Sequence, residues 1–275
     1  MRLNIPRVLL VAALGVVAGR PPGIPADLHA QTQGGAQTNA KRPAWELRRD
    51  RFAELIGLSP EDYRKLGVAN MHHHIEVGLI ARKSADVDAR KRALIALLDA
   101  ENKTVAGEKV LSEEYVNYYG DVVAAVATLN DPRSLSALLG AITTGNMVWS
   151  TLIGFGPSAV APVTGLLVSP EDRVRSTATL TLSEMLVRSR EIATDAHSRQ
   201  TIKAALADAS MDRSYLVRMR AVVGLARLGD VDALAMVKEL AANDPFRDEM
   251  REGRYIVREA AAEALQTQVP RRQTH

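Results

Sequence analysis

The sequence predicts an all-α fold, a right-handed solenoid of antiparallel helix pairs. Three observations carry this. Alanine and leucine dominate the apolar residues, and aromatics make up only 4% of 275 residues, whereas large β-sandwiches draw on aromatic and β-branched side chains. Apolar runs at helical spacing are separated by helix-ending and helix-starting residues such as Gly229-Asp230 and Asp131-Pro132. Finally, the chain resembles itself. The stretch from Glu114 overlays the stretch from Arg213 without a gap, so that Val126 falls on Leu225, Asp131 on Asp230 and Leu138 on Val237. Self-similarity at short periods marks a repeat array.

Residues 1–30 read as a secretory leader. Arg2 and Arg7 precede the apolar run "VLLVAALGVVAG", residues 8–19, which is too short to span a bilayer comfortably. Leu28 and Ala30 then sit at the −3 and −1 positions of a cut before Gln31. No twin arginine precedes the apolar run, so Sec-type export to the periplasm or outside the cell is expected, with no stable membrane insertion after cleavage. Three arginines and one aspartate leave with the leader, taking the formal charge from +3 to +1. A nearly neutral mature chain gives no electrostatic case for nucleic acid. The chain has no cysteine, which excludes disulfides, thiolate metal sites and a cysteine nucleophile.

The polar, glycine-containing stretch over 31–42 reads as a flexible linker. Residues 43–110 read as N-terminal helices that are only loosely repeat-like. Trp45, Leu47, Phe52, Leu55 and Ile56 mark the first of them. Ser59-Pro60-Glu61-Asp62 opens a second, expected to continue through "MHHHIEVGLIARKS", and residues 85–102 form a third. The repeat array proper is expected over 111–267, followed by a polar tail at 268–275.

Within one unit the physics is readable. Val217, Ala221, Leu225 and Leu228 share one helix face. Gly229 ends that helix and Asp230 caps the next, which buries Leu234, Val237 and Leu240. Two short helices cannot bury both faces alone, so neighbours must stack. A copy at "MVWSTLIGFGPSAVAPVTGLL" places Gly156 at the turn, and first helices recur at "EDRVRSTATLTLSEML" and "GRYIVREAAAEALQ". The last of these has no comparable helix after it and is expected to cap the array.

The runs "VRMRAVVGLARLGDVDALAMVKEL", "GFGPSAVAPVTGLL" and "YIVREAAAEALQ" resemble HEAT repeats, and most of all the short HEAT-like type of phycobilin lyases. The resemblance implies a helical array whose second helices line the concave face. Exposed positions there are then the expected partner-binding surface: Arg133 and Ser136, Ser158 and Thr164, Lys238 and Glu239, with Arg199 and Lys203 in an elongated second helix. The chain departs from the pattern where Tyr118-Tyr119 and Thr143-Thr144 occupy Val-Arg positions.

Arg175, Arg218 and Arg258 each follow a core valine and return with the repeat, so a structural role is expected, with the stem on apolar surface and the guanidinium on a neighbouring carboxylate or helix end. Trp149 and the cluster Tyr115, Tyr118 and Tyr119 are read as packing, or as aromatic anchors for a partner. "MHHHIE" is the one stretch with metal-ligand residues in series. On an ideal helix only His72 and Glu76 share a face, and three adjacent histidines point about 100° apart. These two are weak metal candidates, and no metal or other cofactor is expected. "GFGPS" fits neither a phosphate loop nor a nucleophile elbow. The sequence reads as an exported, non-enzymatic scaffold that binds a protein or peptide. The alternatives are a bilin lyase or isomerase, suggested by repeat subtype alone, and a periplasmic metal-binding protein using His72–His74.

Overall fold

The computed structural model describes residues 42–66, 71–84, 87–108 and 110–268. The leader, nearly all of the linker and the tail beyond Gln268 lie outside the described residues. The account that follows concerns the unit Arg42–His275.

Helices α1 (Ala44–Leu55) and α2 (Pro60–Lys65) lead into α3 (Met71–Ser84), α4 (Asp88–Gly107) and α5 (Glu113–Leu129). A single 3-10 turn, Pro132–Ser134, opens α6 (Leu135–Gly140), and α7 (Asn146–Gly154) and α8 (Pro157–Gly165) follow. Then come α9 (Asp172–Arg188), α10 (Arg190–Thr194), α11 (Ala196–Ala209), α12 (Tyr215–Leu228), α13 (Val231–Asn243) and α14 (Ile256–Gln268). No strand occurs among the described residues; the only pairing of that kind is an isolated bridge between Asp248 and Arg254.

The helices stack in two layers. In the first, α3 packs on α5, α5 on α7, α7 on α9, α9 on α12 and α12 on α14. In the second, α4 packs on α6, α6 on α8, α8 on α11 and α11 on α13. Each unit is a first helix and its second, and the chain is an all-α solenoid. The self-overlay holds in three dimensions. Asn130 and Gly229 both turn left-handed to end their helices, with φ of 49° and 70°. Asp131 and Asp230 both cap the next one, accepting from the N–H of Arg133 and Ala233. Val126 and Leu225 are both fully buried.

Three expectations change. The stacking extends N-terminal of residue 111, since α3 packs on α5 and α4 on α6. The second N-terminal helix is two helices, α2 ending at Lys65 and α3 starting at Met71. The elongated second helix of the fourth unit is α10 and α11, separated by Asp195, whose carboxylate accepts from the N–H of Ser198 and starts α11 afresh. At the far end α14 lies on both α12 and α13 and buries Val257 and Ala261, as expected of a cap.

The repeating arginines share one construction. Arg175 makes a two-pronged contact with Asp212, Nε to Oδ2 at 2.7 Å and the second nitrogen to Oδ1 at 2.9 Å. Its remaining nitrogen donates back to the carbonyls of Ser169 and Pro170. Arg218 repeats this with Asp244, at 2.6 and 3.0 Å, and with the carbonyls of Asp212 and Arg213. Each guanidinium therefore ties the loop before its helix to the loop after the pair. Asp212 and Asp244 also accept from the N–H two residues on, at Ser214 and Phe246, so loop and arginine fix one another. Arg258 makes no such two-pronged contact among the described residues; it donates to the Asp244 carbonyl at 2.7 Å and lies over the Tyr255 ring.

Replacing Arg218 by alanine strands Asp244, whose side chain is 1% exposed. Breaking such a pair costs about 3 kcal/mol, more than a partly exposed contact would. Arg175→Ala should cost about the same, and Arg258→Ala about 1 kcal/mol, since it removes a hydrogen bond and a ring contact but strands no charge. Denaturant midpoints at neutral pH check this ranking; equal, small losses at all three would contradict it.

The staple also sets an acid limit. Burial pushes the Asp212 carboxyl up, but Arg175 and the Ser214 N–H outweigh this and hold it below its ordinary 3.8. A carboxyl depressed in the folded state contributes its stability in full above the unfolded value and loses it as pH falls through the folded one. Stability should fall below about pH 4, and Asp212→Asn should be weaker at neutral pH with a flatter acid limb, measured by denaturant titration across pH 2 to pH 7.

Candidate functional site

Two buried carboxylates organise the first units, where the Val-Arg pattern is absent. Glu101 of α4 is fully buried. It accepts from the hydroxyls of Tyr115 at 2.7 Å and Tyr118 at 2.9 Å, and from Arg48 of α1 at 2.5 and 3.1 Å. Tyr119 donates instead to Asn102. The three tyrosines are buried, so they are packing residues rather than exposed anchors. Burial raises all three phenols, Tyr119 to about 12, so they stay protonated and donate.

The second carboxylate is Asp121, in the middle of α5 and 3% exposed at its side chain. Tyr63 of α2 donates to its Oδ2 at 2.5 Å. His73 Nε2 lies 3.0 Å from Oδ2 and His74 Nδ1 2.7 Å from Oδ1. With Asp121 ionised, both imidazoles present N–H to it, a tautomer assignment that follows from the network. Burial first, and the Asp121 charge second, raise the Tyr63 phenol far above its usual range.

This corrects the helical-wheel reading of "MHHHIE". His72 and Glu76 are exposed and do not meet in a cluster, while the adjacent pair His73 and His74 converges. The Cβ vectors do diverge by about 100°. The rings compensate by using different nitrogens, Nε2 of one and Nδ1 of the other, to reach the two oxygens of one carboxylate. Gly120 makes the approach possible: a Cβ there would stand 2.7 Å from Cε1 of His74. The sequence carried a trace of this in Gly120-Asp121, a small residue and an acid inside an otherwise apolar helix.

His74 lies at the edge of a groove of about 860 Å³. Its floor is a stripe of α5 with small side chains, including Gly120, Ala124, Ala127 and Thr128; α3 and α7 are its walls. Gly78 of α3 touches Thr128, which donates to the Gly78 carbonyl, and Thr151 of α7 donates to the carbonyl of Ala127. The groove exists because α7 is short: it has 9 residues against 17 in α5 and in α9. Thr143-Thr144, the departure from the Val-Arg pattern, falls in a 3-10 turn, and Gly145 at φ 130° ends it. A first turn of helix is thus missing where its neighbours have one. The groove walls carry carboxamides and hydroxyls, with Arg82 as the full charge. The Asn117 and Asn130 amides have no hydrogen-bond partner among the described residues.

The residues expected to bind a partner are scattered. Arg133 is held by Asp131 and Asp88, and Lys203 by Asp230 and Asp232. Ser136 and Lys238 are exposed. Ser158 donates to the Phe155 carbonyl and Glu239 accepts from Asn243. Thr164 and Arg199 are half-buried, and Arg199 and Lys203 line a separate shallow depression with Asp230. Trp149 is half-buried under the Arg188 guanidinium, 5.0 Å from the ring centre, and donates to Asn146. None of the nine lines the large groove. That surface was missed because it belongs to the first helices and arises from a shortened one.

No family model matches the chain, and no curated protein matches it. Among solved structures the chain is similar to a computationally designed armadillo repeat protein for modular peptide recognition, at 16% identity and a TM-score of 0.35, over 79% of this chain and 98% of that one. The two-layer stacking itself defines the class: this is a helical repeat protein. No described helix is long and apolar enough to cross a membrane.

Proposed function

We propose that this chain is an exported, non-enzymatic scaffold of HEAT-like repeats that binds an extended segment of a partner protein along α5. The groove carries the reading. Its floor of glycine, alanine and threonine leaves room for a main chain to approach closely. From Asn117 to Asn130 the floor runs about 20 Å, enough for about six residues of extended peptide. Carboxamides offer both a donor and an acceptor, which matches the alternating N–H and C=O of a strand. Asn117 and Asn130 supply that pairing, and Arg82 at one end, exposed and without an ion pair among the described residues, selects for an acidic side chain on the ligand. The scaffold suits this task because stacked units hold the groove open without the ligand, which removes an ordering cost from binding.

Export rests on the leader. Protein recovered from its native host should begin at or near Gln31; a cytoplasmic chain that starts at Met1 would remove this part of the reading.

The groove is tested with a displayed peptide library selected on the chain from Gln31 to His275. Ser150 is exposed and lines the groove, so Ser150→Trp should fill it with little effect on folding. Selected peptides should bind this variant at least tenfold more weakly, with a smaller loss for Asn117→Ala. Peptides that bind both variants as well as the parent would place the binding surface elsewhere.

A further inference from the structure

We propose that His73, His74 and Asp121 form a binding site for one divalent transition-metal ion of the zinc class. The inference stands apart from the peptide reading, since it rests on these three side chains whether or not the groove takes a chain.

The donor set is the first argument. Two imidazole nitrogens and one carboxylate oxygen suit Zn²⁺ and its neighbours, whereas Mg²⁺ and Ca²⁺ favour oxygen alone. Geometry is the second. One ligand atom from each residue lies within 4.8 Å of the other two. A tetrahedral ion with bonds of about 2.0–2.2 Å holds its ligand atoms roughly 3.3 Å apart. His73 Nε2 lies 3.0 Å from Oδ2 and His74 Nδ1 2.7 Å from Oδ1 of the same carboxylate, so the ligand atoms need only regroup within their 4.8 Å span to admit one. On binding, each imidazole shifts the proton it now presents to the carboxylate to its other ring nitrogen, by exchange with solvent, and the freed nitrogen takes the ion.

The surroundings supply what a metal ligand set requires. Asp121 is backed by the Tyr63 hydroxyl, which orients the carboxylate from behind as an outer-shell donor does. His73 and Asp121 are buried, at 8% and 3% side-chain exposure, while His74 is 27% exposed and lines the groove. Three protein ligands with one side toward a cavity leave a position for an exchangeable ligand, the arrangement of open rather than closed zinc sites. Gly120 keeps that side clear, since any side chain there would meet the His74 ring.

The test uses untagged chain from Gln31, stripped with a chelator and titrated calorimetrically with Zn²⁺; Co²⁺ serves as a spectroscopic stand-in. One ion per chain should bind, the melting temperature should rise, and the Co²⁺ form should show the visible absorption of a low-symmetry, four-coordinate site. His74→Ala removes a half-exposed ligand without emptying the core and should weaken Zn²⁺ binding at least tenfold and abolish the Co²⁺ signal. Tyr63→Phe should weaken it less, and exposed His72→Ala should change nothing. Circular dichroism confirms that each variant is folded. Should Asp121→Asn fail to fold, His74→Ala still decides the matter. Absence of binding to the stripped parent, or binding that survives His74→Ala and is lost in His72→Ala, would overturn the proposal and leave the cluster as two imidazole donors on a buried carboxylate.

Discussion

A guanidinium buried between two loops sets the conditions for the rest of this array. The helices are short and rich in alanine, so each interface between units buries little bulk, and close approach of backbones leaves loop carbonyls and carboxylates with few partners. Arg175 and Arg218 meet that need with one side chain each: two prongs to the aspartate of the following loop, one to the carbonyls of the preceding loop. A planar, permanently charged group is required, because an ammonium has neither the fork nor the reach in both directions. The aspartates in turn shape their own loops through the N–H two residues on. Spacing between units in the second half of the chain is therefore held by a polar contact, with the apolar core filling around it.

The first half is held differently, and that difference makes the groove. Where Val-Arg gives way to Tyr118-Tyr119, a buried glutamate with two tyrosines and Arg48 replaces the staple and ties α1, α4 and α5 together. Where it gives way to Thr143-Thr144, no buried charge pair takes its place among the described residues, and the loop is reached by the exposed Arg173, which donates to the Thr143 carbonyl. The helix starts late, at Asn146, and one flank of α5 stays uncovered. Small residues that elsewhere permit close helix packing line the groove there as a floor. The interruption of the stabilising pattern and the location of the cavity coincide, which fits the general tendency of binding surfaces to sit where a scaffold gives up local stability.

Much of the architecture was legible in the sequence because it is local. Asp131 and Asp230 announce helix starts by hydrogen bonds within three residues, and the overlay of 114–139 on 213–238 needs no tertiary knowledge. The structural role of Arg175, Arg218 and Arg258 followed from their recurrence. Their partners did not: Asp212 lies 37 residues after Arg175, and Asp244 lies 26 after Arg218, because the extra helix α10 lengthens one unit. The His73–His74–Asp121 cluster was hidden for two reasons. Its members are 47 and 48 residues apart, and an ideal-helix projection treats a side chain as a fixed vector when a rotatable imidazole offers two nitrogens. The groove escaped notice because a missing turn of helix leaves no residue to see.

Segment-resolved hydrogen exchange on the chain from Gln31 tests most directly whether the arginine staples hold the array and their interruption opens the groove. The account requires strong protection across α9 and α12, and weak protection over 142–154, where the staple is absent. In Arg218→Ala, protection should fall together in α9, α12 and α14 while α3 and α5 keep theirs. Uniform protection along the array, or an Arg218→Ala profile that matches the parent, would contradict it.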